Sequence, residues 1–242
     1  MLELIKETNA EGGGSVSVLS DGTPLGRVGF SKNPYHAGNV YIDFSKIELK
    51  PEVGGEVSRR LFGLFGRPLQ VMTSSENTSL TRFLKACGFR LKRRCFTYSV
   101  TREDYLGFKT DIKLGSARAG EPVYDKCAEL MYEKYVKDHE AVNPFTAGLR
   151  AFEAALPERV YYSADEGLSS FAFCEDGEIA YIFANGSERF KDFCAALVNL
   201  LFDKHKLIEF ECDDCDDDMN KLASLFNIES EASYDTYIFF DY

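Results

Sequence analysis

The sequence predicts an α/β fold with a mixed sheet, and two observations carry this prediction. The first is the order strand, polar turn, one-faced helix, glycine and strand between Leu69 and Val100. The second is the return of the same order between Ile208 and Phe239, at a shift of 139 residues. The shared periodicity, more than the few identities, indicates one supersecondary unit used twice and therefore two related domains.

The first copy of this unit begins with an apolar run at residues 69–72, which predicts a strand. The residues that follow at spacings i, i+3, i+4 and i+7 form one face of a short helix: Leu80, Phe83, Leu84 and Cys87. Gly88 ends that helix, where a residue with positive φ is favoured.

Met219, Leu222, Ala223 and Phe226 take the same places in the second copy. Ahead of them the patterns predict three helices and an antiparallel meander of three strands. The predicted helices run from Glu121 to about Glu140, from Asn143-Pro144 to Leu156, and from a cap at Ser187 through Phe202; the strands are Val160–Ala164, Ser170–Cys174 and Ile179–Ala184. Asp176-Gly177 predicts a hairpin turn between the last two strands.

The front of the first copy is shorter. It predicts strands near Ser15–Leu19, Gly26–Phe30 and Val40–Phe44, a turn at Asp21-Gly22, and a helix over about Glu56–Phe65 after Gly54-Gly55. Too few residues lie between Glu7 and Ser15 for two early helices. We therefore expect one domain at residues 1–105, truncated at its front, and a second at residues 106–242 with the full helix set, joined through a linker at 101–119.

The charge is unevenly distributed between these halves. Residues 1–105 have a balance of +4, whereas residues 106–242 have a balance of −15. An acidic half of this strength argues against a nucleic-acid partner. No segment is long and apolar enough to predict a membrane span. Seven cysteines without an export signal predict reduced thiols and a cytoplasmic protein.

The stretch Asn77–Phe89 resembles the acyl-CoA-binding end of the GNAT superfamily of N-acetyltransferases. It matches the family pattern N-x-x-(A/L)-x-x-(L/F)-x-x-x-x-G-F through Asn77, Leu80, Phe83 and Gly88-Phe89. The resemblance implies acetyl-CoA as cofactor, with the Asn77 side chain holding its pantetheine arm. It also implies two tandem GNAT-like domains, the first without its substrate-side helices.

The family holds the cofactor's pyrophosphate with a glycine loop at a helix N-terminus, where free N–H groups face the charge. The matching positions here are Val53, Gly54, Gly55, Val57, Ser58 and Arg59. Val57 stands where the family has Gly, and Arg59 where it has Gly or Ala. The alternative is a glycine pair that only starts a helix.

The two copies differ in the charge that they would present to a cofactor. Residues 82–94 of the first copy carry six basic residues and no acid. The turn at residues 213–218 of the second copy contains five aspartates, with Asp216 at the place of Asn77. Since such a turn repels a polyanion, we expect the first copy to hold the cofactor.

Acetyl transfer needs a base for the amine and donors for the thioester oxygen and the thiolate. The resemblance implies a tyrosine acid seven residues after the asparagine, but Leu84 and Ala223 stand there. Asp43 and Glu48 are the candidate bases, and Tyr98, or else Tyr41, the candidate donor. His36 lies in a loop suited to lining a cleft.

The function expected from this resemblance is transfer of an acetyl group from acetyl-CoA to an amine of a small molecule or peptide. Exposed strand edges leave a homodimer open. The altered loop, the missing tyrosine and the acidic turn equally fit a non-catalytic GNAT-like binding or structural module. Cys212-x-x-Cys215 among acids is a weak metal signal, so no metal site is predicted.

Overall fold

The computed structural model describes residues 1–10, 12–165, 167–229 and 232–240. The chain is mixed α/β and divides into two compact units that interleave along the sequence. Unit 1 comprises Met1–Arg94, His139–Ala147 and Tyr234–Tyr242, and unit 2 comprises Cys95–Asp138 and Gly148–Ser233. The predicted boundary between residues 105 and 106 stays a prediction.

Unit 1 has strands in the order β1-β2-β3-β4-β5-β12. These are β1 (Leu2–Thr8), β2 (Gly14–Ser20), β3 (Thr23–Ser31), β4 (Val40–Asp43), β5 (Leu69–Ser74) and β12 (Ser233–Phe239), with helices α1 (Pro51–Phe65) and α2 (Thr78–Ala86). The last strand of the chain, β12, pairs antiparallel with β5. The unit 1 core joins the inner faces of the strands to Val57 and Leu61 of α1 and Leu84 of α2.

Unit 2 has strands in the order β6-β11-β10-β9-β8-β7. These are β6 (Arg90–Thr101, from Cys95 onward), β7 (Leu114–Arg118), β8 (Arg159–Ser163), β9 (Ser170–Glu175), β10 (Glu178–Ala184) and β11 (Leu207–Asp213), with helices α3 (Pro122–His139), α4 (Leu149–Glu153), α5 (Phe190–Phe202) and α6 (Asp217–Ala223). Helix α5 supplies the centre of the core, where Phe193, Cys194, Leu197 and Val198 are fully buried.

Both hairpin turns predicted from aspartate–glycine pairs are confirmed. Asp21 and Gly22 have φ of 49° and 78°, and Asp176 and Gly177 have φ of 45° and 94°. Two consecutive positive φ values match the twist of the flanking strands, which explains the residue choice. None of the helices in the described ranges combines the length and apolar composition of a membrane span.

Three predicted elements are wrong in extent. Helix α1 begins at Pro51, not near Glu56, because proline is suited to the first helical position and both glycines continue the helix. The helix predicted from Asn143 is reduced to α4, Leu149–Glu153. The predicted linker contains a strand, β7, and the N-terminal strand β1 was not predicted.

Candidate active site

A gap opens between the two parallel strands at the centre of unit 1. Among the described residues, β4 and β5 pair only at Val40↔Leu69 and Tyr41↔Gln70. Strand β5 continues for four residues beyond this pair, to Ser74, where it is hydrogen-bonded to β12 on its other side. The two strands therefore part after Tyr41, and backbone groups of both become available to a ligand inserted between them.

The two faces of the sheet at this gap differ. Val40 and Ile42 point into the core beneath α1 and α2. Because side chains alternate along a strand, Tyr41 lies on the opposite face. Its neighbour Gln70 also lies there and is 2% exposed.

The segment 139–147 covers this second face through a buried amide network. Asn143 Oδ1 accepts from the Asn39 N–H at 3.1 Å, and Asn143 Nδ2 donates to Gln70 Oε1 at 3.0 Å. Asn143 Nδ2 also lies 3.3 Å from the Tyr41 hydroxyl oxygen. Asn39 Nδ2 donates to Gln70 Oε1 and to the Val142 carbonyl. These hydrogen bonds link the three amides to one another and to Tyr41, so they hold the segment against this face of the sheet.

Two imidazoles lie beside this network. His36 Nδ1 is 2.8 Å from the Asn143 carbonyl oxygen, which only accepts, so Nδ1 carries the proton. His139 Nε2 is 3.1 Å from Arg93 Nη1, which only donates, so this nitrogen carries the lone pair. The ring centroids are 5.1 Å apart. Burial lowers the pKa of His36 below its ordinary value, opposed by its hydrogen bond to Asn143 and assisted by the charge of Arg93.

The predicted cofactor residues lie on α1 and at the start of α2. Val57 and Ser58 are buried, and Ser58 Oγ donates to the Gly54 carbonyl at 2.8 Å. A β-carbon placed on Gly54 would lie 2.5 Å from Cys87 Sγ and 2.7 Å from the Phe83 ring. Gly54 thus permits close packing of α1 against α2, a role that the sequence pattern did not reveal.

Asn77 occupies the N-cap position of α2. Its Oδ1 accepts from the Leu80 N–H at 3.2 Å, which satisfies a helix donor that would otherwise lack a partner. The cap fixes the start of α2 at the end of β5 that borders the gap. Asn77 is exposed, and the cap uses its side-chain oxygen.

A cavity of about 500 Å³ lies between the start of α1 and the end of α2. Gly55 and Arg59 line it from α1, and Arg90 lines it from β6. Arg59 is also paired with Glu56 at 3.0 Å. Glu52, Phe240 and the turn at Cys87-Gly88 also line it, so two guanidinium groups, one carboxylate and an aromatic ring face one volume.

The three predicted catalytic residues belong to different elements, and each has its own surroundings. Asp43 closes an Asx turn, since its carboxylate accepts from the Ser45 N–H at 2.7 Å and the Ser45 hydroxyl at 2.8 Å. Glu48 is exposed in the segment before α1. Tyr98 belongs to unit 2, where its ring packs 5.1 Å from that of Phe210.

A second gap opens between the equivalent strands of unit 2. Among the described residues, β10 and β11 pair in parallel only at Glu178↔Glu209 and Ile179↔Phe210. A register shift against β9 follows Ile179 and bends β10 away. Beyond it, the Ala184 N–H donates to Asp218 Oδ2 at 3.0 Å. A carboxylate of the chain itself therefore accepts the hydrogen bond of a backbone N–H in this gap.

Lys134 of α3 reaches the same carboxylates. Its Nζ lies 2.6 Å from Asp138, 3.3 Å from Asp216 and 4.0 Å from Asp218. Burial acts to lower the pKa of Lys134, but the hydrogen bond and charges of these aspartates outweigh it and raise the pKa. Burial raises the pKa of Asp218 despite the hydrogen bond from Ala184. The adjoining cavity, about 470 Å³, is lined by five acidic residues and two lysines.

The cysteine pair in this acidic region does not form a cluster. Cys212 is buried on β11, whereas Cys215 is exposed. Within the described residues, no group of three or more His, Cys, Asp or Glu side chains is arranged to hold a metal ion.

Sequence reasoning missed Asn143 and Lys134. Asn143 followed by Pro144 has the pattern of a helix N-cap, and its actual partners lie far away in the sequence. Lys134 is half-buried among several other charged residues of helix α3. The sequence signal that could have found them is that each is a polar residue that lies, in the fold, beside the strands that part.

Both units have a sheet whose parallel strands part beside a helix N-terminus, which defines a mixed α/β fold. The chain has the fold of the GCN5-related N-acetyltransferase (GNAT) superfamily. The resemblance recognised in the sequence is thus confirmed at the level of the fold. No model of a known protein family matches the sequence, and no curated protein matches it.

Three solved structures illustrate the likeness. A conserved protein of Enterococcus faecalis V583, a probable N-acyltransferase, gives a TM-score of 0.52 at 12% identity, over 93% of this chain and 61% of that chain. A GNAT-family acetyltransferase from Colwellia psychrerythraea gives 0.50 at 9% identity, over 94% and 86%. A tandem GNAT protein from the clavulanic acid biosynthesis pathway gives 0.45 at 10% identity, over 96% and 84%. At sequence identities this low, the likeness shows the fold alone.

Proposed function

We propose that this protein transfers an acetyl group from acetyl-CoA to an amine of a small molecule or peptide, and that unit 1 holds the cofactor. The observation that carries the proposal is the parting of β4 and β5 after Tyr41 and Gln70. A gap between parallel strands offers unpaired backbone amides to the amide groups of pantetheine and to a thioester oxygen. The two units are, in this proposal, tandem copies of one fold.

The nucleotide end of acetyl-CoA fits the cavity beside α1. Arg59 and Arg90 supply charge for phosphate groups, which bind guanidinium in bidentate fashion. Phe240 offers an aromatic face for the adenine. Of the predicted cofactor residues, Gly55 and Arg59 line this cavity and Asn77 lies at the start of α2, while Val57 and Ser58 support α1 from the core.

Charge and occupancy favour unit 1 over unit 2. The second gap already uses the Ala184 N–H for Asp218, and its cavity is lined by five acids. Burying the phosphates of CoA near such a surface is electrostatically unfavourable. The cofactor therefore belongs, in this proposal, to unit 1, which itself includes segment 139–147.

Isothermal titration with acetyl-CoA tests the assignment. The unmodified protein should bind, and Arg59→Ala or Arg90→Ala should each weaken binding roughly tenfold, since each removes a charged contact to phosphate. Arg60→Ala is the matched control, because Arg60 is on the same helix and also pairs with Glu56, but its other contact is the Leu2 carbonyl and it does not line the cavity. Binding lost in Asp216→Asn and unchanged in Asn77→Ala and both cavity variants would overturn the assignment to unit 1.

The second candidate function is a non-catalytic binding module. It is favoured by α1 starting at Pro51, which places Gly54 and Gly55 inside the helix, and by the use of Asn77 Oδ1 as a cap. Release of CoA from acetyl-CoA with a panel of primary amines separates the two. No release and no thermal shift with CoA would favour the module. The homodimer expected from the sequence stays a prediction, which light scattering checks.

A further inference from the structure

A cavity of about 530 Å³ lies in unit 2 between one flank of α5 and the strands β7 and β8. Arg159 and Lys204 line it, and both lie beside the ring of Tyr161. We propose that this cavity binds a small organic carboxylate with an aromatic or aliphatic body. The inference does not depend on acetyl transfer, because the proposed cofactor site belongs to unit 1.

Strand register and helix periodicity bring the lining side chains together. Strands β7 and β8 pair at Ser116↔Tyr161, and Tyr161 belongs to the core cluster that contains α5. Since side chains alternate along a strand, Arg159 lies on the same face as Tyr161. The helix contributes a flank whose residues recur at spacings i, i+3, i+4 and i+7: Ala196, Asn199, Leu200 and Asp203.

The two cations of the cavity share one aromatic ring. Lys204 Nζ lies 3.4 Å from the Tyr161 hydroxyl oxygen and 5.6 Å from the ring centroid. The central guanidinium carbon of Arg159 lies 5.9 Å from the same centroid. Tyr161 is 7% exposed, so its ring is held by the packing of the core. The ring therefore positions both cations at the cavity but leaves them their positive charge.

This positive charge is not matched by a carboxylate. Within the described ranges, neither Arg159 nor Lys204 forms an ion pair. An acid also lines the cavity, Asp203, but it is paired with Arg102 at 2.9 Å. Because two cations near one ring repel each other, an anion bound between them would lower the energy. Such a place is unexpected in a half of the chain, residues 106–242, whose charge balance is −15.

The rest of the wall indicates an organic anion instead of an inorganic one. Ile112, Leu114 and Leu200 offer apolar surface on which the body of a ligand can be buried. A guanidinium group binds a carboxylate through two parallel N–H groups, and an ammonium group adds a compact charge. The Ser116 hydroxyl at the same wall is a further donor. A carboxylate with an apolar body uses all of these groups.

A second cavity of about 540 Å³ adjoins the first, since Thr110 and Asn199 line both. Tyr105 and Phe108 supply aromatic surface there. Asn199 Nδ2 donates to the Tyr105 hydroxyl and to the Phe108 carbonyl, each at 3.4 Å. The same helix flank thus holds the aromatic wall, and an elongated ligand can extend along α5 from one cavity into the other.

The test uses the full chain and measures the Kd of cinnamate, a flat carboxylate, by saturation-transfer difference NMR. Cinnamamide has the same shape without the charge and should bind roughly tenfold more weakly. Inorganic phosphate, which lacks the apolar body, should displace cinnamate only at much higher concentration. Added salt should weaken the binding of cinnamate more than that of cinnamamide. Equal affinities for cinnamate and cinnamamide would overturn the inference.

Substitutions locate the site. Lys204→Ala and Arg159→Ala should each weaken cinnamate binding about tenfold, because each removes a charged contact. Lys206→Ala is the matched control, since it removes the same charge two residues away from a position that does not line the cavity. Ser116→Asp retains both cations but adds a carboxylate at the wall, so it should abolish binding.

Circular dichroism spectra and melting temperatures close to those of the unmodified protein show that these variants fold. Unchanged cinnamate binding in all three cavity variants overturns the inference, as does the absence of cinnamate binding to the unmodified protein.

Competition separates this site from the proposed cofactor site. An excess of acetyl-CoA should not displace cinnamate, because the cavity proposed for the cofactor is in unit 1. Displacement would overturn the inference, since one site would then take both anions. A protein that binds cinnamate as expected but does not bind acetyl-CoA would contradict the proposed function and support this inference.

Discussion

The Asp218 carboxylate accepts a hydrogen bond from the Ala184 N–H at 3.0 Å, beyond the point where β10 and β11 part. In the gap of unit 2, the carboxylate therefore takes the hydrogen bond that this N–H could otherwise donate to a ligand carbonyl. Lys134 lies 4.0 Å from Asp218 and so compensates part of its buried charge. Unit 2 thus has a gap between two parallel strands with one of its own side chains beside it.

Because Asp218 accepts a hydrogen bond from the Ala184 N–H, the stability of the protein should fall when the side chain is shortened to alanine and change little when it is replaced by asparagine. Asp218→Ala should lower the free energy of unfolding by about 1–3 kcal/mol, because a buried N–H loses its acceptor. Asp218→Asn keeps an acceptor oxygen and removes a charge whose burial raises its pKa. Urea unfolding at pH 7 measures both, and an Asp218→Asn loss as large as that of Asp218→Ala would contradict the argument.

The pH dependence of this pair has a defined sign. A raised folded-state pKa means that the favourable contribution of protonated Asp218 is present below its ordinary pKa and is lost as pH rises through the folded value. The unfolding free energy of Asp218→Asn should therefore rise relative to that of the unmodified protein as the pH increases above about 4, near the ordinary pKa of an aspartate. A difference that stays constant with pH would show that the burial of charge is not the cause.

Local patterns in the sequence predicted the repeated unit because capping and facial burial are local. Asn77 and Asp216, at matching places in the two copies, both cap the short helix that follows. The pattern did not predict the role of Asn143, since its partner Gln70 is 73 residues away. The candidate site was only partly predicted for the same reason: Asp43 satisfies a local turn, whereas Tyr41 and His36 make their hydrogen bonds to that distant loop.

The cap at Asn77 separates stability from cofactor binding. Asn77→Ala should destabilise the protein by about 1 kcal/mol, whereas Asn77→Asp, which retains an acceptor for the Leu80 N–H, should stay close to the unmodified protein. Thermal unfolding gives the comparison. If Asn77→Asp keeps its melting temperature but loses acetyl-CoA, the asparagine amide also contacts the cofactor; equal destabilisation by the two changes would exclude capping as its structural role.

Two glycines of α1 should respond in opposite directions to alanine. Gly54→Ala places a β-carbon against Cys87 and Phe83 and should cost about 1–3 kcal/mol, because the tight contact between α1 and α2 must open. Gly63→Ala meets no heavy atom within 4 Å and should stabilise by about 0.5–1 kcal/mol through helix propensity. Chemical denaturation measures the pair, and a neutral Gly54→Ala would mean that the two helices separate without cost.

The cysteines should divide sharply in their reactivity. Burial raises the pKa of Cys87 to about 11 and the pKa of Cys127 and Cys212 each to about 12, so almost no thiolate is present at pH 8. Cys215, three residues after Cys212, is exposed. Brief treatment with iodoacetamide followed by peptide mass spectrometry should label Cys215 first and leave Cys212 unmodified until urea unfolds the protein. Labelling of both at similar rates would show that the end of β11 opens readily in the native state.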